Sequence, residues 1–432
     1  MLEDHRSASD PGPQIPDSRP QTPDPRTIAV IGAGAAGLMA AIHAAGEGRR
    51  VVLLERTKDG GRKILISGGG RCNILPSSWR PDQFVTASSP NTLRNMLRSW
   101  PLAEQRRFFE ETLGLPLALE EETGKLFPVS NRARDVRDGL VALARRRGVA
   151  VRFEAHVTSL EPEGEDWRVG LAGGEAVRSQ AVIVATGGLS VPATGSDGTG
   201  LRLLEKLGHT IHPLYPALTP LTADPPPHAA LAGVSLEVGI AAALEPGRFE
   251  TEGGFLFTHR GYSGPAVLDV SHIAVRHRLA GGSPADRPIL VRWTREDAAT
   301  WDRTLRDATG TVASLVRHRL PARLADALVT EARVPGDRSL AELRREERSR
   351  LVDVLARYPL PWTGDEGYRK AEVTGGGVAL DEIEPRTMES RVAPGLFLCG
   401  ELLDAFGPIG GYNFLWGWAT GRAAGLGAAA RA

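Results

Sequence analysis

Residues 27–55 read TIAVIGAGAAGLMAAIHAAGEGRRVVLLE, and this stretch decides the fold. The apolar run 27–31 predicts a short buried strand, the small residues 35–45 predict a helix, and the run 51–55 predicts a second strand. A strand, a glycine-rich turn, a helix and a strand form a βαβ unit with parallel strands and a right-handed crossover. We therefore predict an α/β protein whose order begins at Thr27.

The turn inside this unit, residues 32–37, has the spacing G-x-G-x-x-G. Its first glycine permits the tight turn, its second lets the backbone approach a pyrophosphate, and its third allows close packing of the helix on the sheet. Glu55 ends the next strand, where an acid can bind ribose hydroxyl groups; this disfavours NADP and leaves FAD or NAD. The residues expected to contact the dinucleotide here are Gly32, Gly34, Ala35, Ala36, Gly37, Glu55 and Arg56.

Two later apolar runs favour FAD over NAD. Residues 182–188 (VIVATGG) predict a strand that ends in a glycine turn, where the chain can cross close beneath an adenosine. Residues 396–404 (LFLCGELLD) predict a strand that ends in Gly-Glu, where the carboxylate can receive a ribityl hydroxyl group. The expected contacts are Thr186, Gly187, Gly400 and Glu401, together with the backbone of Val157 beside adenine, for which an ordinary strand residue is an equal alternative.

Composition excludes several classes of protein. The 432 residues are enough for two or three domains. The 52 basic and 52 acidic residues cancel, which argues against a nucleic-acid scaffold or a polybasic membrane binder. Two cysteines, Cys72 and Cys399, exclude a disulfide framework and do not form Cys-x-x-Cys, so we expect no thiol–disulfide chemistry. No histidine, aspartate and glutamate cluster has metal-ligand spacing, so we expect no metal site.

Patterning along the chain predicts its organisation. Residues 1–26 hold six prolines and little that is apolar, which predicts a disordered tail without a secretion signal. No stretch is apolar enough to span a bilayer, so we expect a cytoplasmic protein. Residues 201–295 look β-rich, residues 296–366 look charged and helical, and glycine-rich apolar sequence returns over 367–432. The Rossmann-like domain would then comprise 27–200 and 367–432, with the other segments inserted.

Several elements are predicted within these segments. Helices are expected near residues 92–113 and 133–147, and a hairpin around 164–174. In the charged segment, one helix is expected to end near Leu320 and another to start at Pro321.

Four longer motifs resemble a known family. Residues 61–73 read GRKILISGGGRCN, residues 407–421 read GPIGGYNFLWGWATG, residues 371–383 read AEVTGGGVALDEI, and residues 257–269 read FTHRGYSGPAVLD. Together they resemble the YhiN and BaiN group of bacterial FAD-dependent oxidoreductases, from Thr27 to the C-terminus. The resemblance implies an α/β fold of the two-dinucleotide-binding type, a Rossmann-like FAD-binding domain with inserted β-barrel-like and helical domains.

The resemblance also implies further FAD contacts. Within residues 61–73, the consecutive glycines would expose N–H donors near the pyrophosphate and flavin edge, and an arginine would supply charge for phosphate or reduced flavin. Residues 410–413 would open the last helix and direct their N–H groups at flavin N1 and O2. The residues carried over are Lys63, Ser67, Gly70, Arg71, Asn73, Gly410, Gly411, Tyr412 and Asn413.

The sequence motifs for the electron donor and for the catalytic acid are weaker than those for FAD. No second strand–GxGxxG–helix unit occurs, so NADH or NADPH would bind transiently over the flavin. Hydride transfer to one carbon of a C=C bond needs a proton for the other. His259 and Tyr412 are the expected catalytic residues, with Tyr262 as another option; a histidine satisfied by backbone in a turn is the structural alternative for His259.

The function expected is NAD(P)H-driven reduction of an activated C=C bond in a small organic substrate. The alternatives are a flavin-dependent amine-type oxidase, an RNA-modifying flavoprotein and a non-catalytic redox sensor. The neutral net charge disfavours nucleic acid as a partner, and no membrane contact is expected. The sequence does not indicate the oligomeric state.

Overall fold

The computed structural model describes residues 27–45, 49–244 and 247–432, so the predicted tail 1–26 lies outside the described residues. The centre of the fold is a five-stranded parallel sheet built around the predicted βαβ unit. In spatial order its strands are β20 (Leu396–Leu398), β10 (Ala181–Val184), β1 (Thr27–Ile31), β2 (Arg50–Leu54) and β6 (Ala150–Arg152). The chain therefore forms a Rossmann-type α/β domain, as expected.

Helices cover this sheet and share one hydrophobic core with it. These are α1 (Ala35–Ala44), α2 (Arg62–Ile66), α3 (Pro90–Arg98), α4 (Leu102–Arg107), α5 (Ala133–Arg146), α6 (Thr199–Lys206) and α12 (Tyr412–Arg431). The predicted helix over 92–113 is divided because Pro101 cannot lie inside a helix, and α4 continues into a π-helical turn at Phe108–Thr112.

Two small antiparallel sheets flank the parallel one. One consists of β3 (Leu75–Pro76), β5 (Lys125–Pro128) and β4 (Leu117–Glu120). The other consists of β7 (Val157–Glu163), β8 (Asp166–Leu171) and β9 (Ala176–Ser179), so the hairpin predicted near 164–174 is part of a three-stranded meander.

The inserted part has its own antiparallel sheet. In order, its strands are β17 (Tyr358–Pro359), β16 (Ile289–Arg292), β13 (Ser235–Ala243), β14 (Arg248–Phe257), β15 (Gly261–Ser263), β12 (Leu221–Thr222) and β18 (Gly364–Asp365). An unpredicted helix, α7 (Pro265–Leu279), packs on this sheet, and the charged segment forms α8 (Ala298–Asp307), α9 (Val312–Arg317), α10 (Ala322–Glu331) and α11 (Arg345–Ala356).

Sheet and helices of the inserted part share one hydrophobic core, from Leu221 to Trp362. The division into separate β-rich and helical domains at residues 295 and 296, like the other domain boundaries, stays a prediction. Pro321 precedes α10 as expected, while α9 ends at Arg317, three residues before Leu320.

The chain passes between the two parts through a pair of antiparallel strands, β11 (Ile211–Ala217) and β19 (Val373–Val378). A small third core, which includes Tyr215, Val275 and Phe406, lies at this crossing. No helix among the described residues is long and apolar enough to cross a membrane.

Candidate functional site

A cavity of about 430 Å³ opens at one edge of the parallel sheet. The loops that follow β1, β2, β10 and β20 all line it, because the carboxyl ends of parallel strands meet at the same edge. The N-terminal end of α12, α2 and one residue of α7, Leu268, complete its wall. The inserted part therefore contributes directly to the cavity.

The three glycines of the 32–37 turn do different things. Gly32 has φ +97°, and a Cβ there would lie 2.6 Å from the carbonyl oxygen of Ala185. A Cβ on Gly37 would overlap the carbonyl oxygen of Gly32. Gly34, in contrast, has φ −75°, and a Cβ there would meet no protein atom within 4 Å. Gly34 lines the cavity, so its open face is where a ligand can approach the backbone.

Glu55 braces this turn from the end of β2. Its carboxylate accepts the Ala33 N–H at 2.8 Å and both the N–H and the hydroxyl of Thr57, at 2.8 and 2.7 Å. The next residue, Arg56, forms an ion pair with Asp197. Burial alone would raise the pKa of Asp197, but hydrogen bonds from Arg56 and Thr199 outweigh it and lower the pKa to about 2. The predicted ribose-binding end of the cavity is thus rigid and charge-balanced.

A polar network spans the middle of the cavity. Lys63 donates to Glu401 and to the hydroxyl of Ser190, and Ser190 donates to Glu401. Thr374 adds two more bonds to the same carboxylate, from its N–H at 3.1 Å and its hydroxyl at 3.0 Å. Donors on three separate segments of the chain, Lys63, Ser190 and Thr374, thus converge on one carboxylate. The network can orient a hydroxylated ligand such as a ribityl chain.

Glu372 lies beside this network and also lines the cavity. Burial among the cavity walls raises the pKa of its carboxyl group, Lys63 opposes that rise, and Glu401 adds to it. Glu372 lies within residues 371–383, one of the motifs that carry the family resemblance, but nothing in that motif marks it as a site residue. Ser190 and Thr374 were also missed, since no local pattern marks them; only folding brings them to Glu401.

The loop before α12 closes the far end of the cavity. Asn413 both accepts the Gly407 N–H at 2.9 Å and donates to the Gly407 carbonyl at 3.0 Å. Asp269, on α7, accepts the Ile409 N–H at 2.8 Å, and burial raises the pKa of Asp269 to about 6. Gly411 is the N-cap of α12 at φ +94°. Both domains therefore fix the backbone whose N–H groups are predicted to face the flavin.

The loop after α2 presents backbone and one cation to the cavity. Gly68 and Gly69 have φ +55° and +67°, and a Cβ on Gly69 would meet nothing within 4 Å. Arg71 stacks on Phe127, with its guanidinium carbon 4.0 Å from the ring centroid, and pairs with Glu120 at 3.0 Å. The arginine is thus held in place at the cavity wall.

The lining fits FAD. Two buried side-chain oxygens at the cavity, Thr186 Oγ1 and Asn73 Oδ1, have no hydrogen-bond partner in the described part of the chain. Buried polar atoms are almost always paired, so these two call for a polar ligand. The open faces of Gly34 and Gly69 supply close backbone approach for the pyrophosphate.

Most of the predicted FAD contacts meet at this one cavity. Those that line it are Gly32, Gly34, Ala35, Ala36, Glu55, Arg56, Lys63, Ser67, Arg71, Asn73, Val157, Thr186, Gly187, Gly400, Glu401, Gly410, Gly411 and Asn413. Gly37 is buried in packing beneath the turn, and Gly70 faces a separate hollow beside Arg132 and Arg134.

The structure places the expected catalytic residues away from the cavity. His259 is exposed on the turn between β14 and β15 and does not line the cavity, because the hairpin directs that turn outward. Tyr412 turns away as well: its hydroxyl accepts from Gln83 at 3.1 Å and its ring packs on Phe84. Tyr262 is buried in the core of the inserted part, where its hydroxyl oxygen lies 2.9 Å from Nδ1 of His228. None of the three reaches the cavity.

Both cysteines are buried free thiols. Burial raises the pKa of Cys72 to about 12 and raises that of Cys399 as well, so neither is a ready nucleophile. Among the residues described, no group of three or more His, Cys, Asp or Glu side chains is placed to hold a metal ion.

Comparison with known proteins gives consistent matches along the chain. Residues 26–427 match the family described as HI0933-like protein Rossmann domain. The chain is 34% identical to the ribosomal RNA dihydrouridine synthase of Escherichia coli (strain K12), over 90% of this chain and 95% of the relative. It is 32% identical to the 3-dehydro-bile acid delta(4,6)-reductase of Clostridium scindens, over 94% of this chain and 99% of the relative.

Among solved structures, the 3-ketosteroid delta1-dehydrogenase of Sterolibacterium denitrificans is similar in fold. It has a TM-score of 0.51 at 14% identity, over 94% of this chain and all of that one (100%). The expected family and fold are therefore confirmed: this chain belongs to the HI0933-like Rossmann family and is an FAD-dependent oxidoreductase.

Proposed function

We propose that this protein uses NADH or NADPH to reduce a C=C bond that is conjugated to a carbonyl group. The names of both relatives describe this type of chemistry: dihydrouridine is uridine with its ring C=C bond saturated, and a delta(4,6)-reductase acts on C=C bonds of a steroid. The two relatives have very different substrates, yet the names of both describe the reduction of a C=C bond. That common reaction is what supports the proposal most directly.

The cavity suits this reaction. Bound FAD supplies two-electron chemistry, and the protein supplies position and electrostatics. Leu268 of the inserted part lines the same cavity as the predicted flavin loops, so a substrate can enter between the two parts of the molecule. Both thiols are buried, which favours direct hydride transfer over transfer through cysteines.

The nicotinamide donor would bind transiently. The described residues contain one parallel sheet with the βαβ fingerprint, and FAD is expected to use it. A nicotinamide that reduces the flavin and then dissociates would enter the cavity by the same opening as the substrate.

We favour a small cyclic enone as the substrate. Most cations that line the cavity are paired with carboxylates; for example, Arg62 pairs with Asp59, and Arg71 pairs with Glu120. The whole chain also has no net charge. Binding of nucleic acid depends on excess positive charge, whereas binding of an uncharged ring does not.

A uridine in ribosomal RNA is the second candidate. It is supported by the name of the Escherichia coli relative, which is 34% identical over 90% of this chain. The same C=C chemistry would apply to either substrate, so the test must present both.

The test follows the flavin absorbance under anaerobic conditions. We expect NADH or NADPH to bleach the yellow protein, and a 4-en-3-one steroid to restore the colour; the saturated ketone is the matched control. Restoration by unmodified ribosomal RNA, and not by the steroid, would support the second candidate. Bleaching by amines without any nicotinamide would indicate an amine oxidase instead, and no bleaching by any donor would contradict a reductase.

A further inference from the structure

Glu372 occupies a distinctive place in the fold. It immediately precedes β19, where the chain returns from the inserted part to the Rossmann-type domain. Its N–H donates to the carbonyl oxygen of Leu218, at 3.1 Å, which directly follows β11, the outgoing strand of the same crossing. This bond holds the backbone of Glu372 at the crossing, and the residue lines the cavity.

Two carboxyl groups, Glu372 and Glu401, share a single lysine but differ in their surroundings. Glu401 accepts hydrogen bonds from Lys63, Ser190 and Thr374. The Glu372 carboxyl group accepts no hydrogen bond from any residue that the structure describes. When two neighbouring acids differ in this way, the one without donors keeps its proton.

We propose that Glu372 is the catalytic acid, which gives a proton to one carbon of the substrate C=C bond while the other carbon receives hydride. This inference rests on the proposed reductase function and names the residue that the reaction requires. The electrons come from NADH or NADPH through the flavin, so one nicotinamide is oxidised and one C=C bond is reduced. Glu372 becomes a carboxylate and recovers its proton from water.

The electrostatics agree with this assignment. The charged groups acting on Glu372 are Glu401, whose negative charge disfavours a second carboxylate, and Lys63, which is already paired. Burial and Glu401 raise the pKa of Glu372 against the opposing effect of Lys63. A raised pKa widens the pH range over which the acid keeps the proton that it must donate.

Other candidate acids are less well placed. Asp269 also has a raised pKa, to about 6, but its carboxylate accepts the Ile409 N–H and it does not line the cavity. His259 is exposed and outside the cavity, and Tyr412 is turned toward Gln83. Glu372 combines access to the cavity with a free carboxyl group.

The kinetic test separates the two half-reactions in E372Q, E372D and a control, E205Q. Glu205 is an exposed carboxylate on α6 and does not line the cavity. We expect E372Q to be reduced by nicotinamide as fast as wild type, and to transfer electrons to the C=C substrate roughly 10²- to 10⁴-fold more slowly. E372D should recover part of the rate of electron transfer to the C=C substrate. E205Q should transfer electrons at the wild-type rate.

The pH dependence gives a second kinetic signature. In the wild type, the substrate half-reaction needs the protonated acid, so its rate should fall as pH rises through the raised pKa of Glu372. This fall should be absent from E372Q. A rate unchanged in E372Q at every pH would overturn the assignment.

A third measurement does not depend on activity. In protein labelled with carboxyl-¹³C glutamate and without added substrate, NMR should show a carboxyl resonance that titrates above the ordinary glutamate range and disappears in E372Q, not in E205Q. Its absence from wild type would contradict a protonated Glu372. If no C=C substrate reacts at all but this resonance is present, the proposed function fails while the protonated state of Glu372 stands.

Discussion

Gly34 and Gly37 lie three residues apart in the same turn, yet the absence of a side chain serves a different purpose at each. At Gly37 a Cβ would overlap the carbonyl oxygen of Gly32, so glycine is required by packing within the protein. At Gly34 a Cβ would meet no protein atom and would project toward the cavity. We propose that glycine at position 34 serves the close approach of FAD to the backbone.

These two substitutions should therefore separate cofactor binding from folding. We expect Gly34→Ala to leave the thermal unfolding of FAD-free protein unchanged and to weaken FAD binding roughly 10- to 100-fold, the usual effect of overpacking by 1–3 kcal/mol. Gly37→Ala should destabilise the FAD-free protein by about 3 kcal/mol. Calorimetry and a flavin fluorescence titration measure the two effects. Equal stability of both variants would show that Gly37 is not needed for packing.

At the scale of elements, the contact between α1 and α12 supports the cofactor cradle. Gly421 and Gly425 of α12 lie against the backbone of α1, where a Cβ on either would overlap the carbonyl oxygen of Ala36 or Ala40. Small residues let the two helices approach closely and so fix the N-terminus of α1 at the cavity. This contact joins opposite ends of the chain.

We expect Gly425→Ala to lower the free energy of unfolding by about 1–3 kcal/mol, because the added methyl group forces the helices apart. Leu426→Ala on the neighbouring, 43% exposed position is the control and should change it by less than about 0.5 kcal/mol. Chemical denaturation of the two variants makes the comparison. A Gly425→Ala protein as stable as the control would mean that close approach is not required.

At the scale of the whole molecule, each of the two large cores borders a histidine that burial keeps neutral. Burial lowers the pKa of His43, beside the Rossmann-type core, and of His272, in the inserted part, from 6.5 to about 4. The unfolded chain binds these protons at a higher pH than the folded one does. Stability should therefore fall as pH decreases from about 6.5 to 4.

His272→Gln should remove the part of that loss that His272 contributes and leave the part due to His43. The shift from 6.5 to about 4 corresponds to roughly 3 kcal/mol at pH 4, present in the wild type and absent in the variant. The exposed His318→Gln is the control and should retain the full dependence. Denaturation curves at pH 7, 5.5 and 4.5 test this; parallel curves for His272→Gln and wild type would contradict it.

Local patterns predicted the elements whose residues are close in the sequence. The βαβ unit at residues 27–55 was predicted nearly to the residue, since a buried strand and a glycine turn are marked by their own side chains. Helix α7 was missed because its residues, 265–279, follow alternating strand-like runs, and its helical form depends on packing across the inserted sheet. His259 lies in a conspicuous motif, but the residues of that motif do not determine which way its turn faces in the folded protein.

Local sequence patterns were enough to predict the class of fold and the family and to single out the loops that we expect to bind FAD, because glycine turns and buried strands depend on a few neighbouring residues. Which side chains meet at the cavity, in contrast, depends on how distant segments pack together. Lys63, Glu372 and Glu401 are far apart in the chain, and the crossing of β11 and β19 and the end of β20 bring them together. Charge interactions depend on distance in space, so the choice between a protonated and an ionised carboxyl group arises only on folding.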